Sequence, residues 1–143
     1  MEVLDRQEAL LTNYEVLLVL DEESARHRQA QEAKGPENVT TLVFEALEYL
    51  KGTACPSQSG KQIAALKSQL AGMELTKAEL LQIVNLRPKS LVELHLITEE
   101  CSDRFSGDAL EQMLGLIQRA LPRDDDDSGG GDEGAARRTG SMY

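Results

Sequence analysis

LTKAELLQIVNLRPKSLVELHLITEEC, residues 75–101, decides the fold class. Thr76, followed three positions later by Glu79, has the spacing of a capping box: the Thr76 hydroxyl accepts from the Glu79 N–H, and the Glu79 carboxylate reaches back to the Thr76 N–H. Leu75 and Leu80 occupy the two positions of a hydrophobic staple across that cap. The helix so started should end near Asn85 or Leu86, because Pro88 disfavours helical geometry at Arg87 and brings no N–H of its own. The same proline is suited to open the next helix, in which Leu91, Leu94, Ile97 and Thr98 recur on one side. Two capped amphipathic helices around a proline turn predict an α-helical bundle.

The flanking sequence repeats this pattern. On the C-terminal side, Ser106 can cap GDALEQMLGLIQRAL, with Asp108 in the first turn, where the helix dipole favours a carboxylate. Leu110, Met113, Leu114, Ile117 and Leu121 make its buried stripe. Gly115 costs roughly 1 kcal/mol of helix propensity relative to Ala and predicts close packing. On the N-terminal side, Ser59 and Gln62 form another potential box before a helix through Leu70, with Ile63, Leu66 and Leu70 as its core stripe. In TLVFEALEYLKG, residues 41–52, Val43, Leu47 and Leu50 share a face, with Phe44 and Ala46 beside it, and Gly52 stops the helix. Five short helices from about 41 to 121 predict a compact all-α domain.

The N-terminal stretch LLTNYEVLLVL, residues 10–20, has the same start signals and far more apolar content. Thr12 and Glu15 fit a capping box, Leu11 and Val16 a staple. Val16 to Leu20 are consecutive apolar residues covering every face of a short helix, which suits a segment buried on more than one side. Such a segment either folds back across the bundle, bridges it to another protein, or does both. The organisation expected is therefore a partner-engaging segment at 1–20, a polar linker or charged helix extension at 21–40, the helical domain at 41–121 and a disordered acidic tail at 122–143. That tail contains DDDDSGGG and almost no apolar surface to offset the entropy of ordering.

Composition narrows the function. A net charge of -10 argues against a broad phosphate-neutralising groove. A local basic patch would have to come from Lys61 with Lys67, or from Lys77 with Arg87 and Lys89. The two cysteines, Cys55 and Cys101, form no CxxC pair, and no run approaches the length of a membrane span. No P-loop, GxGxxG, HExxH or nucleophile elbow is present. His27 lies in a charged segment and His95 among leucines. The sequence proposes no catalytic residue, metal ligand or cofactor, and leaves adhesion to a partner as the leading class.

LLTNYEVL, LTKAE, the NLRP turn and the RF before the last helix, in that order, resemble the smaller stalk subunit of eukaryotic and archaeal RNA polymerases, nearest its polymerase III branch. The resemblance covers about residues 10–121. It implies an HRDC-like helical domain preceded by a segment that engages the larger, OB-fold-containing stalk subunit. Carried over, Leu10, Leu11, Asn13, Tyr14, Val16 and Leu17 belong to the partner-engaging signature. Leu75, Thr76, Glu79, Leu80, Asn85, Leu86, Arg87 and Pro88 match the central helix and turn, and Arg104 and Phe105 the entrance to the last helix. It also implies a noncatalytic nuclear protein whose partners are the larger stalk subunit, the polymerase III core and initiation factors. Nucleic-acid contact would be weak or indirect, there would be no membrane contact, and transcription would be of small untranslated RNAs such as transfer RNA and 5S ribosomal RNA. The polymerase II counterpart is one alternative. An independent HRDC-like nucleic-acid-binding module is another, and would show strongly salt-dependent binding.

Overall fold

The computed structural model describes residues 9–29 and 37–122. The expected tail, residues 1–8 and the segment around Gly35 lie outside the described residues. Seven α-helices occur in the order α1 (Asn13–Gln29), α2 (Glu37–Lys51), α3 (Gly60–Leu70), α4 (Lys77–Leu86), α5 (Leu91–Ile97), α6 (Cys101–Arg104) and α7 (Gly107–Ala120), with a single 3-10 turn at Cys55–Ser57 among the described residues. The fold class is all-α, as the periodicity requires.

One core cluster joins α3, α4, α5 and α7. Ile63, Leu66 and Leu70 meet Ile83, Val84, Leu94, Met113, Ile117 and Leu121, with Leu75, Leu80, Leu91, Phe105 and Leu114 packed around them. These are the stripes that the 3.6-residue period selects. Aliphatic side chains supply nearly all of this burial, at about 25 cal/mol per Å² removed from water. The second helix takes another position: α2 buries Leu47 and Leu50 but packs on α1 and on the 3-10 turn. Buried Gln58 links that turn to the core by donating from Nε2 to the Val84 carbonyl at 2.8 Å.

Several local expectations need correction. α1 continues past Leu20, so residues 21–29 are the charged helix extension rather than a linker. On its exposed face Arg26 pairs with Glu22 at 3.0 Å and Glu23 at 2.7 Å, contacts that each support a helix by a few tenths of a kcal/mol. Pro88 does not open α5. Ser90 caps it, its hydroxyl accepting from the Glu93 N–H at 3.3 Å. The reason lies at Arg87, whose left-handed backbone (φ 47°, ψ 71°) terminates α4 and turns the chain away before Pro88. Gly115 does not mark a helix crossing, since a Cβ there would meet only the Arg119 side chain of its own helix at 3.3 Å. The stretch after Ile97 holds an additional turn of helix, α6, entered through left-handed Glu100 (φ 48°); Glu74, between α3 and α4, is left-handed as well (φ 36°).

Two charged side chains explain these turns. Arg87, though cationic, is only 1% exposed, and its Nε donates to the Leu121 carbonyl at the end of α7. A cation is favourable at a helix C-terminus because the last carbonyls are unpaired there. Glu79 completes the predicted capping box: its carboxylate accepts from the Thr76 N–H at 2.8 Å, while its own N–H donates to the Thr76 hydroxyl at 3.2 Å. It also accepts from the Glu99 N–H at 3.1 Å and from Arg104 at 2.6 and 3.2 Å. Arg104 in turn donates to the carbonyls of Glu99 and Glu74, each at 2.8 Å, and lies over the Phe105 ring at 5.0 Å.

The Arg104 guanidinium, assisted by the Thr76 and Glu99 amides and opposed by burial, lowers the Glu79 pKa from 4.5 to about 2. A carboxylate depressed on folding contributes stability that is fully present above its unfolded pKa and is lost as pH falls through the folded one. Stability should therefore drop between about pH 5 and pH 2, and Glu79→Gln should flatten that acid limb in urea melts while costing about 1–3 kcal/mol at neutral pH. Ile117→Ala, which leaves a void at a fully buried core position, should cost about 2–5 kcal/mol by thermal or denaturant melting.

Candidate partner interface

The N-terminal signature begins with a helix cap that is itself buried. Thr12 is inside the fold; its N–H donates to Glu15 Oε2 at 2.7 Å, its hydroxyl donates to the same oxygen at 2.9 Å, and the Glu15 N–H returns to Thr12 Oγ1 at 3.2 Å. The Thr12 N–H, then the Thr12 hydroxyl, hold the Glu15 carboxyl below its ordinary pKa, with Lys67 adding a smaller attraction. The next N–H, that of Asn13, is one of the four donors a helix start leaves without an intrahelical partner. Asn85 Oδ1, in the last turn of α4, accepts it at 2.8 Å. Tyr14 then packs against the core cluster, 3.9 Å from the point where a Cβ on Gly60 would stand.

This geometry divides the predicted partner-engaging residues. Asn13 and Tyr14 serve the intrachain dock, Val16 and Leu17 are half-buried, and Leu10 and Leu11 remain exposed. Leu18 and Val19 are also exposed, at 52% and 56%. At 100° per residue, Val16, Leu17 and Leu20 share one side of α1, and the two residues between them must point away. The Val16–Leu20 run contained that signal: once one face is claimed by the fold, the remaining apolar pair has nowhere inward to go. On α2, Leu42, Phe44 and Tyr49 are exposed. Leu42 and Tyr49 fall on one flank of the 43–47–50 stripe, in which Leu47 and Leu50 are buried and Val43 half-buried, and Phe44 on the other.

The signature residues of the central turn are structural with one exception. Leu75 and Leu80 contact the core, Thr76 and Glu79 cap α4, Asn85 holds α1, Arg87 and Pro88 are buried, and Phe105 packs on the core beside Arg104. The expectation that Arg87 could join Lys77 and Lys89 in a solvated basic patch is corrected by its burial. Leu86 is the exception. It is exposed and borders an open cleft of about 300 Å³, which runs from Leu86–Lys89 to Glu93, Leu96 and Ile97 on α5. Val92 and Leu96, one turn apart on α5, add further exposed apolar surface.

Nothing in the described geometry assembles a reaction. His95 is exposed on α5. Burial raises the Cys101 thiol pKa, which disfavours the nucleophilic thiolate. Among the described residues no group of three His, Cys, Asp or Glu could hold a metal ion, and no helix is long and apolar enough to cross a membrane.

Comparison with known proteins places the dock and the capped central turn within one matched span. Residues 10–121 match the family model described as RNA polymerase Rpb4. The chain is 33% identical over 129 residues to the DNA-directed RNA polymerase III subunit rpc9 of Schizosaccharomyces pombe, an alignment covering 85% of this chain and 100% of that protein. It is 29% identical over 127 residues to the rpc9 subunit of Dictyostelium discoideum, covering 83% and 92% of the two chains. It is also 29% identical over 157 aligned positions to the RPC9 subunit of Saccharomyces cerevisiae, covering 82% and 98%. The matched span begins at Leu10, at the lead into the buried cap, and ends at Leu121, whose carbonyl Arg87 holds; the chain belongs to the RNA polymerase Rpb4 family.

Proposed function

We propose that the chain is the noncatalytic smaller stalk subunit of nuclear RNA polymerase III, pairing with the larger OB-fold-containing stalk subunit and supporting initiation on genes for small untranslated RNAs. The observation that carries this reading is the division of labour in the N-terminal signature. Thr12, Asn13, Glu15 and Tyr14 anchor α1 to its own domain, and Leu10, Leu11, Leu18 and Val19 are left outside. A docked helix with outward leucine and valine offers a pre-ordered apolar surface, so a partner gains burial without the entropy cost of first folding that helix. The polymerase III relatives are matched over nearly their full lengths, which supports the same assignment.

Leu10, Leu11, Leu18 and Val19 are assigned to the larger stalk subunit; Asn13 and Tyr14 orient them, and Val16 and Leu17 lie half-buried on the other side of α1. Contacts with initiation factors and the polymerase core extend from the assembled pair. The test is co-purification of the full chain with the larger stalk subunit through a high-salt wash. Leu18→Asp with Val19→Asp should abolish the complex and leave far-ultraviolet circular dichroism unchanged, because both sites are exposed in the chain alone. Leu17→Asp should also reduce helix content, since that side chain is half-buried within the fold. Undiminished pairing by the Leu18/Val19 double variant would remove this surface from the assignment, and a wild-type chain that never pairs would remove the function.

A further inference from the structure

Leu10, Leu11, Leu18 and Val19 are too few side chains to hold a permanent partner. A stable interface of ordinary size takes about 20–30 residues and about 800 Å² from each side, a patch roughly 30 Å across. The contact must therefore run beyond α1, and the polar dock shows a direction open to it. Asn85 Oδ1 accepts from the Asn13 N–H at 2.8 Å, which sets the lead into α1 against the last turn of α4. Leu11 is two residues upstream of Asn13, at most about 7 Å of chain, and Leu86 is the residue after Asn85. Exposed Leu11 and exposed Leu86 thus lie within about 20 Å of each other, inside the span of one partner patch.

Leu86 opens onto the cleft of about 300 Å³ between the end of α4, its connector and α5. The apolar wall is Leu86, Pro88, Leu96 and Ile97, and exposed Val92 extends it one turn along α5. Leu96 is 82% exposed, the most of any large apolar side chain among the described residues. Apolar side chains gathered at the rim of a concave site mark a contact surface.

We infer that the larger stalk subunit's contact continues from Leu10 and Leu11 across Leu86 into this cleft, where one of its aliphatic or aromatic side chains seats between Leu86 and Leu96, a reading that rests on the pairing proposed above.

Shape and charge select this occupant. A cleft of this size suits a single anchoring side chain, and interfaces concentrate their energy at such anchors in pockets. The polar groups of the wall are engaged within the chain: Arg87 Nε donates to the Leu121 carbonyl, and the Glu93 carboxylate accepts from the Lys89 N–H at 2.6 Å. They need no outside charge, which leaves the apolar wall to choose the partner. A second copy is disfavoured, because each chain carries a net charge of -10 and exposed Glu99 and Glu100 lie just beyond α5, so self-pairing here sets acid against acid.

The experiment reads thiol protection. Leu96→Cys is introduced into the full chain, whose native Cys55 and Cys101 are buried, and maleimide labelling is followed in the chain alone and in its complex with the larger stalk subunit. Glu111→Cys, exposed on α7, is the reference. The expected result is loss of labelling at position 96 in the complex while position 111 still reacts. Leu86→Ser with Leu96→Ser, which leaves the charge unchanged, should weaken pairing about tenfold without altering circular dichroism, since both side chains are exposed. Equal labelling of the Leu96→Cys thiol in both states, or undiminished affinity of the double serine variant, overturns the inference and leaves the pairing through Leu18 and Val19 standing. Protection that appears in the chain alone and grows with its concentration also overturns it, by making the occupant a second copy. A wild-type chain that never pairs removes the function proposed above and this extension with it.

Discussion

The Glu79 carboxylate is the constraint on which the rest of the structure depends. Its two oxygens cap α4, hold the turn before α6 and receive Arg104, which itself fastens the Glu74 carbonyl within the α3–α4 connection. Four short elements are thereby oriented by one buried side chain. None is long enough to be stable as an isolated helix, since helices under about 12–15 residues are marginal in water. Hydrophobic burial brings α4, α5 and α7 together without direction, whereas the bonds to Glu79 fix which turn meets which. Removing the Glu79 carboxylate would leave the Thr76 and Glu99 amides without their acceptor, while Arg104, partly exposed, could still turn to water.

From that platform the functional arrangement is built in steps. A fixed α4 presents Asn85 at its last turn, and Asn85 receives the first free N–H of α1. With that end pinned and Tyr14 seated on the core, the rotation of α1 about its own axis is set. Rotation decides exposure: Val16, Leu17 and Leu20 turn toward the fold and Leu18 and Val19 away from it. The apolar surface available to a partner is thus specified by polar bonds at a distance from it. This also reconciles the two readings of the N-terminal stretch, because intrachain anchoring and outward presentation use different residues of one helix.

Much of the bundle was legible in the sequence because caps and stripes are local. Thr76 with Glu79, Ser59, Ser106 and Thr12 each marked a helix start through contacts within four residues, and the 63–66–70 and 110–113–117 periods marked its buried face. What escaped was set by contacts between distant segments. Arg87 read as an ordinary solvated cation, since only the folded chain brings Leu121 to it across 34 residues. The short α6 was hidden for a similar reason: its anchor is Glu79, more than twenty positions upstream. Of the outward leucines, Leu10 and Leu11 could be read from the signature. Leu18 and Val19 required knowing which face of α1 the interior takes, and α2 required knowing that its partner is α1 rather than the main core.

Glu74, Arg87 and Glu100 each hold a left-handed backbone without being glycine. For an L-residue that conformation costs roughly 1–2 kcal/mol. At position 87 the side chain returns the cost, because glycine there would relax the turn and delete the guanidinium that joins α4 to α7. Positions 74 and 100 are different in kind. Both side chains are exposed, and what the fold uses is backbone: the Glu74 carbonyl that accepts from Arg104, and the Glu100 carbonyl that accepts from the N–H groups of Asp103 and Arg104. Glycine could supply either one. The three turns therefore differ in how freely sequence can drift, with two open to relaxation and one closed to it.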